Sequence, residues 1–163
     1  MVRKTGKVTL CTYNSTGLNQ GRTDFIEYLI SNRNPDLLLL QETWLLGSQL
    51  FKLSSLHPDY IAHGISGMND REDLISGRRY GGLAILWRKS LAAKVKPLRT
   101  DNSRLCAVML TLSGSNILLL NAYLPCDNYS STMPDALYQA VLDDALRLWL
   151  ESDADRLIFG GDL

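Results

Sequence analysis

Several polar side chains stand where apolar runs stop, and their types decide what chemistry they could share. Asn14 follows the run Val8–Tyr13, Gln41 and Glu42 follow Leu37–Leu40, Asn121 and Tyr123 close a later run, and Asp162 comes after Arg156–Gly161. If these runs are strands lying side by side with their ends at one edge, residues far apart in sequence converge there. The Glu42 and Asp162 carboxylates with the Asn14 amide would form an all-oxygen cluster. Hard oxygen donors suit Mg²⁺, or Mn²⁺, rather than zinc. A phenol at Tyr123 could donate to a phosphate oxygen, and the set suggests metal-assisted attack on a phosphodiester or phosphate ester. Taken singly, each residue is an ordinary cap or turn residue and Tyr123 an ordinary strand aromatic. The weight rests on the pattern.

Elements with the right periods exist to carry these residues. Lys7–Tyr13 reads as a strand and Arg22–Arg33 as a helix, with Phe25, Ile26, Leu29 and Ile30 on one face and Pro35 beyond its end. Asp36–Gln41 is a strand whose unbroken leucines suit burial on both faces, so the first forty residues predict a βαβ crossover. Ser48–Leu56 reads as a short helix, Tyr60–Ile65 as a strand and Ser66–Arg79 as a polar loop. Four strands are predicted next, over Gly82–Trp87, Ala93–Arg99, Arg104–Leu112 and Asn116–Leu124, with short connections that imply antiparallel neighbours. A helix capped by Thr132 follows, with Leu137, Val141, Ala145 and Leu148 as its apolar stripe. The last strand, Arg156–Gly160, leads into a Gly-Gly-Asp turn.

Composition bounds the answer. The 163 residues, 45% hydrophobic and 21% charged, predict one globular domain spanning 1–163. Seventeen Lys and Arg cancel seventeen Asp and Glu, so net charge announces no nucleic-acid or membrane partner and any such contact must be local. Three cysteines, Cys11, Cys106 and Cys126, cannot all pair, and no apolar run has the length of a signal-peptide core or a membrane span. An intracellular protein, nuclear or cytoplasmic and not secreted, is expected.

Five blocks occur in a telling order: Thr12-Tyr13-Asn14, Leu39-Leu40-Gln41-Glu42-Thr43-Trp44, Gly81–Leu86, Asn121-Ala122-Tyr123-Leu124-Pro125 and Phe159-Gly160-Gly161-Asp162. In these the chain resembles the endonuclease/exonuclease/phosphatase superfamily, and more narrowly the apurinic-type endonuclease domain of LINE-type retrotransposons. The resemblance implies an α/β fold, a partial four-layer α/β sandwich, with the active site at strand ends. It implies a metal site at Glu42 and Asn14, a phosphate contact at Tyr123 and a water-positioning aspartate at Asp162. It also implies Mg²⁺-dependent cleavage of DNA that leaves a 3′-hydroxyl able to prime reverse transcription.

Relatives of this kind continue past the Gly-Asp strand with a second half-sheet, another aspartate and an Asp-His pair. The two histidines here, His57 and His63, lie outside the matching blocks and are expected on the surface. Cys126 stands where many relatives have asparagine, with Asn128 a possible substitute. Two consequences are expected: an exposed inner sheet face through which the chain associates, and little nuclease activity from this chain alone. Arg71, Arg78, Arg79, Arg88, Lys89 and Arg104 are candidate DNA contacts. Two other readings stand beside the nuclease: a superfamily phosphatase or phosphodiesterase acting on a small molecule or lipid head group, and a non-catalytic remnant.

Overall fold

The computed structural model of the chain describes residues 7–68, 79–125 and 133–163. Eight strands and two α-helices are present among them: β1 (Leu10–Asn14), α1 (Gln20–Arg33), β2 (Leu37–Gln41), β3 (Tyr60–Ile65), β4 (Leu83–Arg88), β5 (Val95–Leu98), β6 (Leu105–Leu112), β7 (Ser115–Tyr123), α2 (Met133–Glu151) and β8 (Arg156–Asp162). The predicted βαβ unit forms, with β1 and β2 parallel and in register from Leu10↔Leu37 to Asn14↔Gln41. Helix α1 starts two residues earlier than expected because the Asn19 side chain caps it, accepting from the Arg22 N–H at 3.1 Å.

Two four-stranded sheets result, one ordered β1-β2-β4-β3 and the other β5-β6-β7-β8. Between them Leu37, Leu39, Leu83, Ile85 and Trp87 of the first sheet pack against Cys106, Val108, Leu110 and Leu119 of the second. The alternate residues face outward: Leu38, Leu40 and Leu86 meet Ile26 and Ile30 of α1, while Leu118, Leu120 and Ala107 meet Val141 and Ala145 of α2. Helix, sheet, sheet and helix make four layers. The leucine run of β2 is thereby explained, since both of its faces are covered.

The expected bare inner sheet face is corrected by this packing, because each sheet covers the other. Exposed apolar side chains lie elsewhere, on α2 at Leu137, Tyr138, Leu146, Trp149 and Leu150 and on β8 at Ile158. Leu137 therefore leaves the predicted stripe, and Phe25 leaves that of α1 to lie beside Tyr13 with ring centroids 4.9 Å apart. The Thr132 cap falls outside the described residues.

Two further expectations change. Residues Lys89–Lys94 form a 3₁₀ turn that carries the chain from β4 in one sheet to β5 in the other, so those consecutive strands are not neighbours. Pro97 sits on β5, an edge strand, where its missing N–H costs no ladder bond. The last strand also runs through the two glycines to Asp162 rather than turning at them. A side chain at Gly161 would place Cβ 2.0 Å from the Ala122 carbonyl oxygen, and Gly161 has φ of +136°, so this close approach of β8 to β7 requires glycine. No helix among the described residues is long and apolar enough to cross a membrane.

Candidate active site

Strands β1 and β8 are the edges of their respective sheets, and the two edges stack on one another. Their carboxyl ends lie at one rim with those of β2 and β7, the end at which open α/β sheets place ligands. There the Asn14 Nδ2 donates to Glu42 Oε1 at 2.8 Å and to Asp162 Oδ2 at 2.7 Å. One amide nitrogen thus ties two carboxylates from different sheets, 120 residues apart in sequence. The three residues that sequence spacing singled out converge.

Asn14 presents an unexpected atom. Its nitrogen faces the carboxylates, whereas its carbonyl oxygen accepts from the Thr16 N–H at 3.0 Å and the Thr16 hydroxyl at 3.3 Å. In this arrangement Asn14 is a bridge between ligand candidates, and acting as a ligand itself would require the amide to turn over and give up both carboxylate bonds. The orientation follows from the hydrogen-bond network around it.

Glu42 is held by a strained turn. It has φ of 51° and Trp44 has φ of 56°, left-handed values that cost a residue with a side chain about 1 kcal/mol or more each. Surrounding bonds over-determine the turn: the Gly17 and Leu18 N–H groups donate to the carbonyls of Glu42 and Thr43, while the Thr43 and Trp44 N–H groups donate to those of Gly82 and Gly81. The Ser15 hydroxyl adds contacts of 3.0 Å to the Gln41 and Glu42 carbonyls. A Cβ on Gly82 would sit 2.5 Å from the Thr43 hydroxyl, so the Gly81-Gly82 pair is required here. The turn directs the carboxylate to Asn14 and lets the Trp44 indole N–H donate to Glu42 Oε2 at 3.1 Å.

On the second sheet Tyr123 is the register partner of Asp162. Arg104 leans over it, with its guanidinium carbon 5.4 Å from the ring centroid and Nη1 donating to the Tyr123 carbonyl at 3.2 Å. A cation and a phenol therefore stand together at the end of β7, the strand next to the one that carries Asp162. Arg79 does not join this group; it donates to Gln49 at 3.2 Å in an adjoining cleft beyond Trp44. Arg88 pairs with Asp36 at 3.6 Å at the opposite end of the first sheet, and Lys89 follows it there, so neither approaches the rim. Arg71, Arg78, Cys126 and Asn128 lie outside the described residues.

Neither histidine reaches the cluster. His57 packs edge-on against Tyr60 at the far end of the first sheet. His63 is corrected from a surface position: it points between the sheets, its Nε2 is buried, and burial pushes its pKa down. Sequence reasoning missed the roles of Trp44, Ser15 and Thr16, which carry no signal of their own. It also missed the depth at which Gln41 and Asn121 are buried, although polar residues inside leucine runs were a visible sign.

Two carboxylates held together are hard oxygen donors, the chemistry that fits a hard divalent cation. No group of three or more His, Cys, Asp or Glu that could hold a metal ion gathers among the described residues.

Two sheets packed face to face between two helices, with a carboxylate pair tied by an amide at their shared rim, define a four-layer α/β sandwich. The chain belongs to the Endonuclease/Exonuclease/phosphatase family, whose model matches residues 11–163. Solved structures with the same fold include an AP endonuclease of Leishmania major (18% identity, TM-score 0.68, covering 96% of this chain and 55% of that one). Another is a TDP2 of D. rerio humanized by 14 mutations (23%, 0.65, 97% and 63%). A third is the 3′ phosphatase NExo of Neisseria bound to a product DNA hairpin (19%, 0.64, 95% and 57%). The chain spans less than two thirds of the length of each of these three. No curated protein sequence matches it.

Proposed function

We propose that this chain carries the metal- and phosphate-holding part of a Mg²⁺-dependent DNA endonuclease of the retroelement type. The observation that carries the reading is the Asn14 amide gripping Glu42 and Asp162 together at the rim. DNA as the substrate is supported by the Neisseria structure, which holds a DNA product. The retroelement assignment rests on the block Tyr80–Leu91, with its run Gly81-Gly82-Leu83-Ala84-Ile85-Leu86-Trp87-Arg88-Lys89-Ser90-Leu91.

Glu42 and Asp162 would hold the cation, Mg²⁺ or Mn²⁺, which when bound neutralises phosphate charge at the scissile group. Arg104 and Tyr123 orient the phosphate, and Asp162, open to solvent at the end of β8, accepts hydrogen bonds from a water beside it. The preorganisation of these charges is the main contribution to rate. No imidazole stands at the cluster among the described residues, so proton transfer is poorly served and cleavage by the 163-residue chain alone is slow.

Mn²⁺ binding measured by electron paramagnetic resonance, with plasmid nicking in Mg²⁺, tests the reading. The expected result is Mn²⁺ binding that Glu42→Gln abolishes and slow, Glu42-dependent nicking. Metal binding indifferent to Glu42→Gln overturns the reading, as does hydrolysis of inositol phosphates in preference to DNA. Fast Glu42-dependent nicking keeps the nuclease and overturns the slowness.

A further inference from the structure

Beside Trp44, which lines it, lies a cleft of about 600 Å³, within the size range of small-molecule sites. Its two walls carry opposite charge. Asp24 and Glu27 project from α1, whereas Lys52 and Arg79 line the wall formed by the 3₁₀ helix Gly47–Ser55, to which the Arg79–Gln49 hydrogen bond ties the arginine. Trp44 lies between the cleft and the carboxylate pair. Its ring rests on Gly17, where an added Cβ would fall 2.4 Å from the ring. Thr43, also lining the cleft, has a buried hydroxyl with no partner among the described residues.

An aromatic ring, a cationic wall and an acidic wall match three different parts of one nucleotide. Rings stack on bases regardless of sequence, lysine and arginine meet phosphate, and a carboxylate accepts from an exocyclic amine as it does from cytosine N4. The cleft is too small for a duplex. It suits a base that is single-stranded or turned out of the stack.

We propose that this cleft is a nucleobase subsite selective for bases that carry an exocyclic amine. It takes adenine, cytosine or guanine from the nucleotide next to the one whose phosphate meets Glu42 and Asp162. The base stacks on Trp44 and donates its amine to Glu27 or Asp24, and the adjoining phosphate lies on Lys52 and Arg79. Thymine offers no such donor and leaves the acidic wall facing its carbonyl oxygens. Because the same indole donates to Glu42, filling the cleft also steadies the carboxylate. The inference rests on the DNA reading above and adds the element of base choice.

Fluorescence anisotropy with labelled dA, dC and dT dodecamers tests it, using the full chain in EDTA and again in Ca²⁺, a hard cation that binds oxygen ligands. The dA and dC dodecamers are expected to bind several-fold more tightly than dT. Glu27→Gln combined with Asp24→Asn brings the three affinities together. Lys52→Ala weakens all three and lowers the salt slope by about 0.7. Trp44→Ala weakens binding by about tenfold or more, the loss expected for one stacked base. Trp44→Phe, which keeps a ring, retains most of the affinity and guards against a folding defect. Equal binding of the three oligonucleotides by the native chain overturns the subsite. So does binding that Arg104→Ala weakens while the Trp44 and Glu27 variants leave it unchanged, and in that case the DNA reading survives. Failure of all three oligonucleotides to bind in both EDTA and Ca²⁺ overturns the subsite and the DNA reading together.

Discussion

Gln41 of β2 and Asn121 of β7 join the two sheets side chain to side chain, with the Gln41 Nε2 donating to the Asn121 Oδ1 at 2.7 Å in the fully buried interlayer. The Asn121 amide in turn donates to the carbonyls of Leu40 and Ala84, each at 2.9 Å, and the Gln41 amide also meets the Thr12 hydroxyl at 3.1 Å. Glu42 is the next residue after Gln41, and Tyr123 stands two beyond Asn121. An apolar interlayer alone permits one sheet to slide on the other, whereas directional bonds set a single alignment. This clasp therefore sets the rim geometry on which the carboxylate pair depends.

Asn121→Leu is expected to destabilise the fold by about 2 kcal/mol or more, because it takes one partner from the Gln41 amide and from two carbonyls in a dry layer. Gln41→Leu combined with Asn121→Leu should cost less than the sum of the single changes. Urea unfolding of the four proteins in a double-mutant cycle checks this; strict additivity would show that the pair is not coupled.

Replacing Gly161 by alanine drives a methyl group toward the Ala122 carbonyl at a backbone angle that disfavours side chains. The expected loss is about 1–3 kcal/mol, with weaker Mn²⁺ binding because Asp162 is displaced. Thermal unfolding and metal titration measure the two effects, and an unchanged melting temperature would contradict the close approach of β8 to β7.

Asn14→Asp removes the amide that ties the carboxylates and adds a third negative charge. Without metal the variant should be less stable by about 1–3 kcal/mol, and Mn²⁺ should raise its melting temperature by more than it raises that of the native chain. Scanning calorimetry with and without Mn²⁺ decides; an equal response to metal would remove Asn14 from the site.

His63 supplies a pH dependence with a definite sign. Burial lowers its pKa in the folded chain below the ordinary value of 6.5, against a smaller opposing effect from a hydrogen bond with the Leu98 backbone. The unfolded chain therefore takes up the proton first. The contribution to stability is complete above pH 6.5 and falls as the pH drops through the lowered folded value. Urea midpoints followed from about pH 7 to 5 should decline, and His63→Leu should flatten that part of the curve. A variant curve parallel to the native one would refute this.

Cys106 is buried between the sheets, and burial pushes its thiol up to about 12. At pH 8 almost none of it is thiolate, so iodoacetamide should leave it untouched until the protein unfolds. Peptide mapping in native buffer and in urea tests this, and rapid native labelling would mean that the interlayer opens locally.

Much of the fold could be read from local pattern, because burial imposes a period on the chain. The leucines of β2 alternate between two cores, and the apolar positions of α1 at Ile26 and Ile30 recur at helical spacing. Strand ends were also visible at Asn14, Glu42, Tyr123 and Asp162, since polar residues there interrupt apolar runs and need solvent or a partner. The bend between the sheets at Lys89–Lys94 was not visible, because a turn between neighbouring strands and a crossing to another sheet differ only in what the following strand pairs with.

The sequence by itself determined which side chains stand at the strand ends, and hence that carboxylates, an amide and a phenol were available for one site. Only the tertiary structure decided which atoms meet. Stacking of the β1 and β8 edges gave the Asn14 nitrogen to both carboxylates, carried Arg88 to the opposite end and left Arg79 in a separate cleft. The physical reason is that side-chain type is a local property, whereas hydrogen-bond partners and sheet alignment arise from contacts across more than a hundred residues.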